Sequence, residues 1–122
     1  MSDHKQNVIS RVDEVSKELL SLSHKIHANP EVAWQEFESS AAVIKTLSDH
    51  GFDVVEQVSA LPTAFRAEFG SGDLTVALCA EYDALPGLGH ACGHNIIASS
   101  SVGAAIALAS VAKDLNIKVV VL

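Results

Sequence analysis

The apolar positions Val8, Ile9, Val12, Val15, Leu19, Leu20, Leu22 and Ile26 recur at three- and four-residue steps. That period predicts an amphipathic helix from about Asn7 to His27. Asn29-Pro30 stops it, because proline keeps the residue before it out of helical geometry. A second helix is predicted from about Gln35 to His50, with Phe37, Ala41, Val43, Ile44 and Leu47 as its apolar set and Gly51 as a left-handed cap. Beyond it the period shortens to two or gives way to β-branched runs. Phe52–Val58, Ala64–Phe69 and Leu74–Ala80 read as strands, the last two parted by the turn Gly70-Ser71-Gly72-Asp73. The loop Glu81–Asn95 then leads into a helix of small residues, Ile96 to about Leu115. Ile117–Leu122 is a fourth strand, nearly all valine and leucine.

Strand, loop, helix, strand is a βαβ crossover, which places Leu74–Ala80 and Ile117–Leu122 parallel in one sheet. The fold class is therefore α/β, with a partly parallel sheet flanked by helices. Leu74–Ala80 is apolar or small on both sides, which predicts a central strand covered on both faces. Ligand sites in such sheets lie outside the carboxyl ends of strands, where Glu81–Asn95 falls. The sequence closes on an apolar strand with no covering element after it, and such a strand is an aggregation liability when exposed. The expectation is an N-terminal piece of something longer.

At 122 residues the chain has the size of about one domain. Eight basic and fifteen acidic side chains give a net charge of −7, which argues against nucleic acid and against an anionic membrane surface as partners. Two cysteines make no disulfide framework. The opening Met-Ser-Asp-His-Lys-Gln-Asn is polar where a signal peptide needs an apolar run. The expected location is therefore the cytoplasm. No Asp, Glu, Lys or Arg occurs from Ala84 to Ala112, yet the helical part carries four serines and a glycine in 17 residues. A bilayer span needs about 20 mainly apolar residues, so a buried helix is expected and no membrane span.

The loop Glu81-Tyr82-Asp83-Ala84-Leu85-Pro86-Gly87-Leu88-Gly89-His90-Ala91-Cys92-Gly93-His94-Asn95 gathers two carboxylates, two imidazoles and a thiol. Such groups suit a divalent metal of borderline softness, zinc, cobalt or manganese. Cys92 and His94 are two apart, so in an extended segment both point to one side. Asp83 is placed to hold or polarise a ligand from behind. Other readings stand beside these. Cys79 is expected to be a small buried hydrophobe, a role open to Cys92 as well. Cys92 as a nucleophile lacks an identifiable Asn or Asp partner for its histidine. Glu81 and Asp83 as solvated loop charges remain an option. His90 can ligate metal, cap the following helix or orient Cys92. A closed structural zinc site needs four ligands, usually from two knuckles, and only one knuckle is present.

Ala80-Glu81-Tyr82-Asp83-Ala84-Leu85-Pro86 followed by Gly89-His90-Ala91-Cys92-Gly93-His94-Asn95 closely resembles the two-metal amidohydrolase and carboxypeptidase family. That family includes aminoacylases, indole-acetyl-amino acid hydrolases, p-aminobenzoyl-glutamate hydrolase and related dipeptidases. Upstream, His27-Ala28-Asn29-Pro30-Glu31 with Glu36 resembles its N-terminal His-x-x-Pro-Glu motif. The likeness runs from about His24 to Leu122. It implies that residues 1–122 are the N-terminal portion of the catalytic domain, a three-layer αβα metallohydrolase with a mixed sheet. It also implies Cys92 and His94 as metal ligands and Asp83 as the catalytic aspartate; it assigns no role to Glu81, which stands where many relatives have a ligand histidine, and from the residues themselves Glu81 and His90 are candidates for a further ligand or for support to one. Two divalent ions (zinc, manganese or cobalt), an N-acyl amino acid or dipeptide substrate and a homodimeric parent follow from the same likeness. The family's Glu-Glu segment, its later histidine ligands and its lid or dimerisation domain come after the strand matched by Lys118–Leu122. This stretch alone is thus expected to be catalytically incomplete. The alternative is a non-catalytic metal-binding or interaction fragment.

Overall fold

The computed structural model describes residues 3–122, so Met1 and Ser2, the start of the polar opening, lie outside the described residues. The order of elements is α1 (Asp3–Ala28), α2 (Phe37–Asp49), β1 (Asp53–Glu56), β2 (Phe65–Phe69), β3 (Leu74–Leu78), α3 (His94–Ala109) and β4 (Ile117–Val121). The sheet runs β1-β2-β4-β3, antiparallel at β1–β2 and β2–β4 and parallel at β3–β4. The predicted crossover is therefore present, in a mixed α/β sheet.

Several boundaries differ from expectation for identifiable reasons. Phe52 is buried, but its amide bonds the Leu47 carbonyl at 3.1 Å and closes α2 instead of joining a strand. Gln57 turns into the left-handed region and ends β1 before Val58. α3 begins earlier, at His94, because the Gly93 carbonyl accepts the amides of Ile96 and Ile97 at 2.9 and 3.1 Å. It ends at Ala109, and turns follow.

The expectation that Leu74–Ala80 is central is corrected. β3 is the edge strand and Leu74 is 61% exposed. The crossover carries the chain over β3 and sets β4 down between β3 and β2, so β4 holds the interior place. Its Val119, Val120 and Val121 are buried, so the closing strand is not the exposed one. Cys79 is exposed, against expectation, just beyond the last residue of β3.

The core lies between the helices and one face of the sheet. Ala67, Val119 and Val121 are buried against Val15, Leu22, Ile26, Val43, Leu47, Val102 and Ile106. The opposite face carries Val55, Arg66, Thr75 and Ala77, all exposed, with Lys118 paired to Glu68 at 3.6 Å. The described residues thus form two of the three expected layers. Hydroxyls account for the polar content of α3: Ser99 Oγ donates to the Leu19 carbonyl at 2.7 Å and Ser101 Oγ to that of Cys79 at 2.7 Å. No helix among the described residues is long and apolar enough to cross a membrane.

Candidate metal centre

Two loops meet beyond the carboxyl end of β3. The first, residues 29–36, follows α1 because Pro30 ends the helix. Its Glu31 accepts the amides of Glu38 and Ser39 at 2.9 and 2.7 Å and the Ser39 hydroxyl at 2.6 Å. These are orphan donors of the first turn of α2, so a carboxylate six residues upstream of that helix caps it. Burial pushes the Glu31 carboxyl up, but the hydrogen bonds from Ser39 and the α2 amides outweigh it and hold it below the ordinary carboxylate value. The Glu31 carbonyl accepts the Ala84 amide at 2.7 Å, and Val32 bridges Ala84 in parallel. The His-x-x-Pro-Glu segment therefore ties the start of α2 to the loop that carries the candidate chemistry.

In that loop the structure brings Glu81, Asp83 and His94 together. Asp83 Oδ1 lies 2.7 Å from His94 Nδ1, and Glu81 Oε2 lies 3.2 Å from His94 Nε2. A carboxylate only accepts, so the ring proton sits on Nδ1 and is donated to Asp83. In the neutral ring Nε2 then turns a lone pair toward a second acceptor, Glu81. A second proton or a metal ion satisfies that pair. Two ligands about 2.0–2.1 Å from a tetrahedral zinc stand about 3.3 Å apart, which matches the Nε2–Oε2 separation. Asp83 behind the ring is the arrangement that fixes a ligating histidine's tautomer. In donor type and spacing, these residues fit a divalent ion.

In number they fall short. Among the described residues no three of His, Cys, Asp and Glu are arranged to hold a metal ion. Cys92 is exposed, and no hydrogen bond among the described residues joins it to His94. The extended-segment argument for its convergence with His94 is corrected: Gly93, at φ +76, turns the chain between them into the start of α3. Only glycine adopts that conformation at low cost.

His90 is neither the cap of α3 nor bonded to Cys92. Its ring nitrogens are buried and make no hydrogen bond of good geometry, although the Ile26 carbonyl lies near. Its ring centroid stands 6.3 Å from that of His27. Burial, with the neighbouring imidazoles of His27 and His94, holds His90 below the ordinary histidine value. Glu81 and Asp83 are not simply solvated charges, since both face His94.

Two residues escaped the sequence reading. Asn95 is buried and its Nδ2 donates to Ser23 Oγ at 3.0 Å, anchoring the start of α3 to α1. Glu36, quoted only as part of the motif, is a buried carboxylate that accepts the Thr63 hydroxyl at 2.6 Å. Thr63 in turn accepts the Tyr82 hydroxyl through its carbonyl. Burial, together with the charge of Glu36, pushes Tyr82 up to about 12.

No family model matches the chain. Among curated proteins it is 39% identical to the Xaa-Arg dipeptidase of Mus musculus, over 97% of this chain and 31% of that protein. It is 36% identical to a p-aminobenzoyl-glutamate hydrolase of Escherichia coli, over 71% of this chain and 22% of that protein. Its fold matches a Bacillus subtilis structure described as a dinuclear metal-binding peptidase of the M20 family, with a TM-score of 0.78 at 22% identity. That match covers 89% of this chain and 35% of the other. The chain thus spans less than a third of the length of these curated relatives.

Proposed function

From a chain homologous to part of the M20 peptidases and amidohydrolases, we propose the N-terminal portion of a metal-dependent hydrolase that cleaves an amide bond in N-acyl amino acids or dipeptides. The observation that carries this reading is His94 held between Asp83 on Nδ1 and Glu81 on Nε2 at the carboxyl end of a parallel strand. His94 and Cys92 would hold metal, with Glu81 beside them and His90 packed behind. A bound divalent ion supplies a Lewis acid for the scissile carbonyl and lowers the pKa of bound water. Asp83 accepts the Nδ1 proton and so keeps the Nε2 lone pair free for ligation. Gly93 lets α3 start directly at His94, which directs the amide-rich end of that helix at the site and favours negative charge there.

His94, Cys92 and Glu81 do not make up the four ligands of a closed site. In this reading the remaining ligands and the general base come from the part of the relatives' length that this chain does not span. The metals would be zinc, manganese or cobalt, the assembly a homodimer and the compartment the cytoplasm. The test is an assay of the purified 122-residue chain with N-acetyl amino acids and dipeptides, with each metal added. The reading expects metal uptake without turnover. Turnover lost in Cys92→Ala would contradict the incompleteness of this stretch, and turnover that survives Cys92→Ala and His94→Ala would contradict the site. The interaction-fragment alternative expects partner binding that is unchanged when both residues are replaced.

A further inference from the structure

β3 leaves one edge of the sheet open. No strand among the described residues pairs with it on the side away from β4. The Leu122 amide donates to the Leu78 carbonyl at 2.9 Å, and the Ala80 amide to the Leu122 carbonyl at 2.7 Å. The even-numbered residues of this segment therefore turn their main-chain groups to β4, and by alternation Thr75, Ala77 and Cys79 turn theirs outward. The Cys79 carbonyl accepts the Ser101 hydroxyl at 2.7 Å, which closes the free run at that end. Thr75 and Ala77 are left presenting amides and carbonyls in the spacing that another strand completes.

Edges are ordinarily guarded by charge, proline or a bulge. β1, the other edge, is guarded: it carries Asp53 and Glu56 and ends where Gln57 turns into the left-handed region. Laid antiparallel on its own copy, it would set Asp53 against Glu56, like charges directly opposite. β3, Leu74-Thr75-Val76-Ala77-Leu78, has none of these devices. Centred on Val76, an antiparallel copy pairs Leu74 with Leu78, Val76 with itself and Thr75 with Ala77, while Asp73 meets the uncharged Cys79. The exposed Leu74 and the half-buried Val76 and Leu78 gain cover on the core side. The neighbouring helix is equally free of charge, since no Asp, Glu, Lys or Arg occurs from Ala84 to Ala112. Ser101 turns α3 toward this edge, and Ile97, Ala104 and Leu108 share its face at three- and four-residue steps, none of them buried.

We propose that the free edge of β3 is an interface between two copies of this chain. The two strands run antiparallel about a two-fold axis at Val76, each Thr75–Ala77 pair exchanging both main-chain hydrogen bonds. Two four-stranded sheets become one, with α3 of each copy flanking the axis. A second copy is the partner this edge fits, because its β3 offers the complementary donors and acceptors in register and brings no opposing charge. The two-fold axis closes the assembly at two copies. This surface is separate from the lid or dimerisation domain that the family likeness implies, and neither metal nor the hydrolase reading enters the inference.

Sedimentation equilibrium of the 122-residue chain, reduced and with a chelator present, tests it. The expected mass is twice that of one chain. It should halve in the double variant Thr75→Lys with Ala77→Lys, two exposed positions where lysine would face lysine across the axis. Val55→Lys, exposed on the β1 edge, should leave the dimer intact. Register is read by crosslinking. In a chain also carrying Cys79→Ser and Cys92→Ser, Val76→Cys should give disulfide-linked dimers with oxidised glutathione. Facing residues of a non-hydrogen-bonded pair stand about 4.5 Å apart, within disulfide reach. Val55→Cys in the same background should not crosslink. A monomer at every concentration would overturn the proposal and leave the edge to a strand of other origin. A dimer that survives the two lysines, or an open series of larger species, would also overturn it. If the lysine variant does not fold, the crosslink decides, and equal yields from Val55→Cys and Val76→Cys would refute the pairing.

Discussion

Glu31 shows what a single side chain does for this fold. Its carboxylate closes the α2 N-terminus from outside the helix, and its carbonyl holds the Ala84 amide of the candidate loop. Replacing it with Gln should cost about 1 kcal/mol of stability, the usual worth of a helix cap, read from urea unfolding at neutral pH. The pH dependence has a definite sign. The folded carboxyl lies below its ordinary value of 4.5, so the unfolded chain binds the proton more readily. The contribution is therefore complete above about 4.5 and is lost as pH falls through the lowered folded value. In Glu31→Gln the stability profile below about pH 4.5 should be flatter than in the parent chain. Equal slopes would contradict the cap. The motif was visible in the sequence, but this role was not, because it depends on a contact between two loops. Cys79 failed the other way: burial was assigned from residue type, whereas its exposure follows from β3 being an edge strand.

At the scale of elements the periodic signals were legible and their surroundings were not. The three- and four-residue steps of α1 located its buried stripe, and Val15, Leu22 and Ile26 lie on it. Ile26→Ala should therefore cost about 2–5 kcal/mol, because a side chain only 1% exposed would leave a cavity. Leu20, equally apolar but 59% exposed, should change stability by no more than about 0.5 kcal/mol when cut to Ala. Chemical denaturation of both variants checks the pair, and similar losses would contradict the assigned face. The strands were found by alternation and runs of β-branched residues, while their order was not. Leu74, Val76 and Leu78 have the composition of an interior strand, and composition alone cannot tell which of two parallel strands the crossover places inside. Gly72, in the turn before β3, lies against the residue before β4: a Cβ there would stand 2.0 Å from the Asn116 carbonyl oxygen, so Gly72→Ala must shift the turn. A fall in melting temperature without loss of the far-ultraviolet spectrum is expected, and an unchanged melting temperature would contradict the close approach.

For the molecule as a whole, the α/β class, the crossover and the place of the site were legible, because a loop rich in His, Cys and carboxylates at a strand's carboxyl end is a local signal. The internal arrangement of that site was not. Sequence spacing suggested Cys92 and His94 as a pair, whereas the folded chain groups His94 with Glu81 and Asp83, since Gly93 turns the backbone between the two proposed ligands. Whether Cys92 completes that group is the central claim, and cobalt absorption tests it most directly. Titrated with Co²⁺ under reducing conditions, the chain should develop a thiolate-to-cobalt charge-transfer band that disappears in Cys92→Ser and in His94→Ala but persists in Cys79→Ser. Absence of the band, or a band that survives Cys92→Ser, would contradict the assignment of Cys92 and His94 as metal ligands.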